Sequence, residues 1–400
     1  MTPFNGLKVL DIGSFVAAPM AATMLADFGA DVVKIEPPEG DGYRRMHRLP
    51  NLPKSEHNYA WALAARSKRA LVLDLKQPAG REVLHRLVEA TDVLVTNYPP
   101  QVRARLGLAY AQLRVLNPRL VYASLTGYGE TGPDANKPGF DATAYWARSG
   151  LADMVRTDAQ APPVAPALGM GDQPTAAMLY GAIVTALYRR ERTGEGAEVT
   201  SSLLANGIWA NGPMLQAALC GAEIRYREPR ATPRSALSNF YRCRDGRWFS
   251  IAMVEEEKLW PEIARLVGVE PLLADERFAT LPARRANAPA LVVELDRAFA
   301  QHDSGEWSRR FEGTATTVSV VARMDDVQRD PQARCSGALV EGDGLGGTTL
   351  TIDSPFRITG VDKRRPARAP ALGEHSEEVL RAHGFDAAAI ASLRRHGVIG

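Results

Sequence analysis

The chain has 400 residues, enough for two domains at the common ~100–200 residues each. Its 45% hydrophobic content is ordinary for a globular protein with a sizeable core. With 48 basic and 46 acidic residues the formal charge is only +2, so no global field draws the chain to nucleic acid or to a membrane surface.

Strand and helix signals alternate over the first third. Leu7–Ile12 reads as a short buried strand, Met20–Phe28 as a helix closed by Gly29, and Asp31–Glu36 as a second strand. Further strands are predicted at Ala70–Leu75, Val93–Asn97 and Leu120–Leu125, with a helix at Pro78–Ala90. This β-α-β alternation predicts a parallel sheet with right-handed crossovers, a Rossmann-like large domain. The turn after the first strand, Gly13-Ser14-Phe15-Val16-Ala17-Ala18-Pro19, has one glycine where a dinucleotide fingerprint needs three. Glu36 ends the second strand as a ribose-binding acid would, but without the glycines a nicotinamide enzyme is not expected.

A helix is predicted from Thr175 to Arg192, with Ala176, Leu179, Ile183, Ala186 and Leu187 on one apolar face and Gly194 as its stop. A strand at Ala197–Ser201 and a helix at Leu203–Leu219 follow. Arg, Pro and Ser replace periodic apolar residues across Tyr226–Ser235, a linker texture. Phe240–Ile251 then reads as a hairpin turning at Asp245-Gly246, followed by helices at Glu255–Val267 and Pro289–Ala300. The tail offers a strand at Thr348–Ile352 and helices at Glu374–His383 and Asp386–His396. The domain boundaries expected are 1–200 for the large domain, 201–230 for a linking helical region, 231–330 for a smaller α/β domain and 331–400 for a segment returning to the large domain.

The three cysteines, Cys220, Cys243 and Cys335, are odd in number and lack a CxxC pair, which disfavours a disulfide framework or a zinc site. No stretch approaches ~18 uninterrupted apolar residues, and Met1 to Lys8 has no apolar signal core, so a soluble, cytoplasmic protein is expected.

The run Ala167-Leu168-Gly169-Met170-Gly171-Asp172-Gln173-Pro174 stands at the mouth of the predicted Thr175–Arg192 helix. Its glycines let backbone approach a ligand, and Pro174 marks the first helical turn. A carboxylate near the positive end of the helix dipole is expected to stay ionised at neutral pH, and can attack an activated acyl group. On these eight residues alone, an ordinary N-cap is the simpler reading of Asp172.

Several segments taken in order resemble a class III CoA-transferase, of the kind that includes formyl-CoA:oxalate and carnitine CoA-transferases. They are Val9-Leu10-Asp11 with Ala18-Pro19, then Leu25 to Pro37, Lys68-Arg69 with Leu73 to Lys76, and Asp92 to Tyr98. Asn117-Pro118, Leu120–Ser124 with Gly127-Tyr128-Gly129, Gly139-Phe140-Asp141 and Gly171-Asp172 follow. Ala369 to His375 and the closing Gly397-Val398-Ile399 complete the series, which spans almost the whole chain.

The resemblance implies an interlocked homodimer, each chain threaded through the ring of the other. It places the nucleophilic aspartate at Asp172 and the CoA-lining positions at Val16, Ala17, Leu73 to Lys76, Asn97, Tyr98, Pro99, Arg105 and the loop Lys137–Asp141, including Phe140. By charge, Arg105, Lys76 and Lys137 suit the phosphates, and Tyr98 suits the nucleotide or pantetheine. Coenzyme A enters as acyl-CoA substrate, and no permanently bound cofactor or metal is implied. Asp172 would form first an acyl anhydride and then a CoA thioester, with water excluded. The backbone N–H groups of Gly169 and Gly171 are candidates to hold the oxyanions; a tight turn explains the same glycines equally well.

Two features depart from the family prototype. Pro37 stands where the prototype has an arginine, with Arg44 or Arg45 as the substitute charge. The glycine-run lid is also missing, since Met253-Val254-Glu255-Glu256 has no glycine. Arg44 and Arg45 also form a possible carboxylate clamp, against the alternative of a solvated basic loop. On that basis the expected acceptor is a small dicarboxylate, itaconate-, mesaconate- or malate-like, with succinyl-CoA as donor. Rival readings are an intramolecular CoA-transferase, a non-catalytic CoA-binding protein and an α-methylacyl-CoA racemase. A racemase needs an acid and a base on opposite faces of the α-carbon, and its relatives carry a histidine where this chain has Phe140.

Overall fold

The computed structural model describes residues 2–400. Six strands form one parallel sheet: β1 (Lys8–Asp11), β2 (Asp31–Glu36), β3 (Arg69–Val72), β4 (Val93–Thr96), β5 (Val121–Thr126) and β6 (Ala197–Ser202). Their order is β3-β2-β1-β4-β5-β6, so the chain runs outward from β1 on one side and then from β4 on the other. Strands of a parallel sheet are covered on both faces, which is why they read as nearly continuous apolar runs. All six residues of β5, Val-Tyr-Ala-Ser-Leu-Thr, are buried.

The helix Ala17–Asp27 is short-sided, rich in alanine and buried along its whole length. It packs against the long helix Asp172–Thr193, which Gly194 stops in a left-handed cap. The helix expected over Leu203–Leu219 is two, Leu203–Ala210 and Gly212–Leu219, with Asn211 at the joint. Pro213 lacks the N–H that a continuous helix needs, and the Asn211 side chain donates instead to the Ser149 carbonyl at 3.1 Å.

The chain forms two compact units. The larger comprises residues 1–152, 165–221 and 331–400. Its last segment is tied in by strand-edge bonds: Asp74 N–H donates to the Val398 carbonyl, and His375 N–H to that of Ala70. Val379, Leu380, Ile390, Val398 and Ile399 join the core beneath β1, β2 and β3.

The smaller unit comprises residues 153–164 and 222–330. There β7 (Ser238–Arg242) and β8 (Trp248–Ala252) form an antiparallel hairpin joined by β9 (Val318–Val320). Gly246, at φ +75°, makes the turn. Helices Glu256–Val267, Ala288–Phe299 and Ser304–Phe311 cover one face of the hairpin, where Tyr241 stacks on Phe299 at 5.0 Å. Val254, in the glycine-free stretch, is 98% exposed.

Candidate active site

Loops leaving the carboxyl ends of β1, β4 and β5 meet where the strand order reverses, the usual ligand crevice of such a sheet. Asn97, just after β4, accepts from Ser14 N–H at 2.8 Å and donates from its amide to the Ser14 carbonyl at 2.7 Å. These two bonds lock the β1 and β4 loops together. Next in the β1 loop is Phe15, whose φ of +61° lies in the left-handed region that side chains normally avoid. Its ring meets that of Phe140 edge-on at 5.8 Å. Asp141 follows Phe140 and accepts from Gly171 N–H at 3.3 Å. A continuous chain of contacts thus runs from Asn97 to the residue before Asp172.

Asp172 is the first residue of its helix; Gly171 is the cap residue, so Asp172 is not an N-cap. Among the described residues no donor is bonded to its half-buried carboxylate. Burial first, and the neighbouring charge of Asp141 second, push its pKa up to about 7. The expectation of a fully ionised carboxylate at neutral pH is therefore corrected. Helix dipoles contribute fractions of a unit charge, which desolvation and a second carboxylate outweigh here.

The two glycines are explained by shape. Gly169 has φ +75°, and a Cβ on Gly171 would lie 2.5 Å from the Tyr145 ring. Gly171 N–H is already bonded to Asp141, which removes it from the candidate oxyanion donors. Tyr145 lies in a π-helical turn, Asp141–Ala147, whose wide spacing appears in the bond from Arg148 N–H to the Thr143 carbonyl.

Of the remaining expected CoA positions, Val16, Ala17 and Leu73 are buried in the core, so only their backbone can face a ligand. Tyr98 is half-buried and Pro99 caps the helix Pro100–Arg105. Lys76, Arg105 and Lys137 are exposed, Lys76 lying 3.9 Å from Glu39 and Lys137 over the Tyr128 ring at 5.4 Å.

The proposed carboxylate clamp is not free. Arg44 donates to both Glu36 oxygens, at 2.7 and 2.6 Å, and lies 3.9 Å above the Trp61 ring. Its guanidinium neutralises a buried carboxylate, and only the exposed Arg45 keeps its charge toward solvent.

Sequence reasoning missed the ion network under these loops. Lys34 Nζ donates to the Gly13 carbonyl and lies 3.2 Å from Asp41 and 3.6 Å from Asp11. Lys68 Nζ donates to Asp11 at 2.8 Å and to the Pro19 carbonyl at 2.7 Å. Burial works against the Asp11 charge, yet Lys34 and Lys68 hold it below the ordinary carboxylate range. Asp41 in turn accepts from Phe15 N–H at 3.2 Å and Tyr43 N–H at 2.9 Å. Two charged residues of each sign in the otherwise apolar β1 and β2 surroundings were the available signal.

A parallel sheet with a crevice at its switch point, and an unpaired carboxylate at a helix start beside it, define an α/β protein of the doubly wound class with an acidic candidate site. The family model of CoA-transferase family III matches residues 4–376, and the chain belongs to that family. It is an enzyme that transfers CoA. It is 33% identical to (R)-2-hydroxy-4-methylpentanoate CoA-transferase of Clostridioides difficile, with 99% of each chain covered. It is 31% identical to cinnamoyl-CoA:phenyllactate CoA-transferase of Clostridium sporogenes, over 98% of this chain and 96% of that one. A crystal structure of a CaiB/BaiF family protein from Brucella suis superposes with a TM-score of 0.85 at 28% identity, covering 96% of this chain and 99% of that one.

Proposed function

We propose that the enzyme moves CoA from an acyl-CoA to a carboxylic acid through covalent intermediates on Asp172. The observation that carries this reading is the Asp172 carboxylate, unbonded among the described residues and set beside the crevice at the helix start. The carboxylate attacks the donor thioester carbonyl, and the carbon–sulfur bond breaks to release CoA thiolate and leave a mixed anhydride. The thiolate attacks the aspartyl carbonyl, giving an aspartyl-CoA thioester and the free donor acid. The acceptor carboxylate attacks this thioester, expelling thiolate, which then takes the acceptor acyl group and regenerates Asp172. The deprotonated form is the nucleophile, so a pKa near 7 leaves about half of it competent at neutral pH.

The acceptor favoured is an acid with one carboxylate and an apolar tail. The dicarboxylate expectation rested on Arg44 and Arg45; Arg44 is committed to Glu36, while relatives named for glutarate, citramalate and malate support that expectation as the second reading. Phe15 and Phe140 instead present apolar rings beside the Asp141–Gly171 contact. The names of the two relatives, which cite a branched and an aromatic 2-hydroxy acid, agree with this reading. Transfer is intermolecular, and succinyl-CoA is one donor to test.

A cytoplasmic homodimer is part of the proposal. No residue of the apolar helix Gly212–Leu219 is buried, and Trp209 and Leu219 are more than two-thirds exposed, a surface suited to a second copy. No helix among the described residues is long and apolar enough to cross a membrane.

Hydroxylamine trapping with peptide mapping tests the covalent step. Modification should fall on Asp172 alone, and Asp172→Ala should abolish exchange while keeping CoA binding. An Asp172→Ala enzyme that still exchanges CoA removes the proposed nucleophile.

A further inference from the structure

Phe15 combines three features that are individually unusual. Its backbone is left-handed at φ +61°, a conformation that non-glycine residues normally avoid. Its large apolar side chain is 37% exposed instead of joining the core. Its ring also bridges two others, meeting Tyr43 at 6.4 Å and Phe140 at 5.8 Å, both edge-on. Strain of this kind persists only where the surroundings over-determine it.

They do so here from three sides. Asp41 Oδ1 accepts from the N–H of Phe15 at 3.2 Å and from the Ser14 hydroxyl at 3.3 Å. Asn97 grips Ser14 through two bonds. Gly42 leaves room for the ring, since a Cβ there would lie 3.2 Å from its tip. Glycine at position 15 would satisfy the backbone without strain. The bonds made by Asp41 and Asn97 therefore do not account for the ring.

The ring points toward the catalytic side. Tyr43, one of its partners, is pushed up to about 12 by burial and then by the negative charge of Asp172, so the phenol lies within electrostatic reach of that carboxylate. Phe140, the other partner, is 60% exposed and joined through Asp141 to the residue before Asp172. Two exposed rings therefore meet beside the segment that carries the reacting carboxylate.

We propose that Phe15 is a specificity-determining residue: its ring, with Phe140, receives the side chain of the acyl group and selects branched or aromatic acids over small ones. The inference rests on the acyl-transfer reading above and deepens it. An apolar contact of this size discriminates by roughly 10- to 200-fold, because a small side chain leaves the ring face uncovered. The strained backbone keeps the ring from turning away into its own core.

The test uses the full-length enzyme with one acyl-CoA donor and three 2-hydroxy acids bearing methyl, isobutyl and benzyl side chains. For Phe15→Ala we expect kcat/KM to fall about 10- to 50-fold for the isobutyl and benzyl acids and less than about threefold for the methyl acid. The KM for the CoA thioester should stay within about twofold. Phe15→Leu should recover most of the isobutyl activity but not the benzyl activity. Phe15→Gly suits the left-handed backbone and keeps the comparison available if Phe15→Ala fails to fold. Equal losses for all three acids, or a loss confined to the KM for the CoA thioester, overturn the proposal. So does a fall in dimer mass by light scattering with unchanged selectivity, which would assign the ring to a subunit contact. A wild type that exchanges CoA while the Phe15 series stays flat sinks this inference alone. A wild type without aspartyl labelling or exchange sinks the acyl-transfer reading, and this one with it.

Discussion

Asp141 Oδ2 lies 3.3 Å from the backbone nitrogen of Gly171, placing a second carboxylate beside the one on Asp172. Asp141 is held there by the Gly171 main chain, so its charge stays beside Asp172 when both ionise. Asp141 is the second cause, after burial, of the raised Asp172 pKa. Because the carboxylate form attacks, kcat/KM should rise through about pH 7 as a single ionisation. In Asp141→Asn that acidic limb should move to lower pH, and the rate at pH 6, relative to the plateau, should rise about two- to threefold. A pH–rate profile checks this; an unmoved limb would remove Asp141 from the electrostatics of the site.

The same shift has a stability consequence whose sign is opposite to that of a salt-bridged carboxylate. The folded state favours protonated Asp172, with its pKa at about 7 against an ordinary 3.8. Its contribution is complete below pH ~4 and is lost as pH rises through about 7. Asp172→Asn should therefore stabilise the fold by roughly 1–3 kcal/mol at pH 8 and by much less at pH 4. Urea unfolding at the two pH values measures the difference.

Gly171 is required by contact with an aromatic ring. Gly171→Ala drives a methyl to within 2.5 Å of Tyr145, whose ring is itself buried in the π-helical turn. The expected cost is about 1–3 kcal/mol, with displacement of the Asp172 helix start and at least a tenfold fall in exchange rate. Gly171→Ala combined with Tyr145→Leu should regain part of the stability, as calorimetry would show.

Arg44 and Arg45 separate a structural from a binding role. Arg44→Leu leaves Glu36 buried without its guanidinium partner and should destabilise the protein by about 3 kcal/mol. The ranking of acceptor acids should not change in either Arg44→Leu or Arg45→Ala. A selective loss of dicarboxylate acceptors in the Arg45 variant would restore the clamp.

Much of the fold was legible because local and global signals agree in the parallel sheet. β2 runs from Asp31 to Glu36 as expected, because Val32, Val33 and Ile35 mark a strand covered on both faces even though Lys34 and Glu36 are charged. The hairpin at Asp245-Gly246 was equally plain, because its turn requires a residue that tolerates positive φ. The break at Asn211 was weaker in the pattern, as apolar residues continue across Pro213. Arg44 read as a free charge because its partner Glu36 lies eight residues away, and only the fold brings the two side chains together.

Residue order alone determined the sheet, the helix that begins near Asp172, and the membership of a CoA-transferase family. These follow from periodicity, turn chemistry and short motifs, all of which act over a few residues. Tertiary structure decided the protonation of Asp172, the commitment of Arg44 and the strained placement of Phe15. Each of those depends on burial or on a charge from a distant segment, and neither solvent exclusion nor Coulomb's law follows distance along the chain.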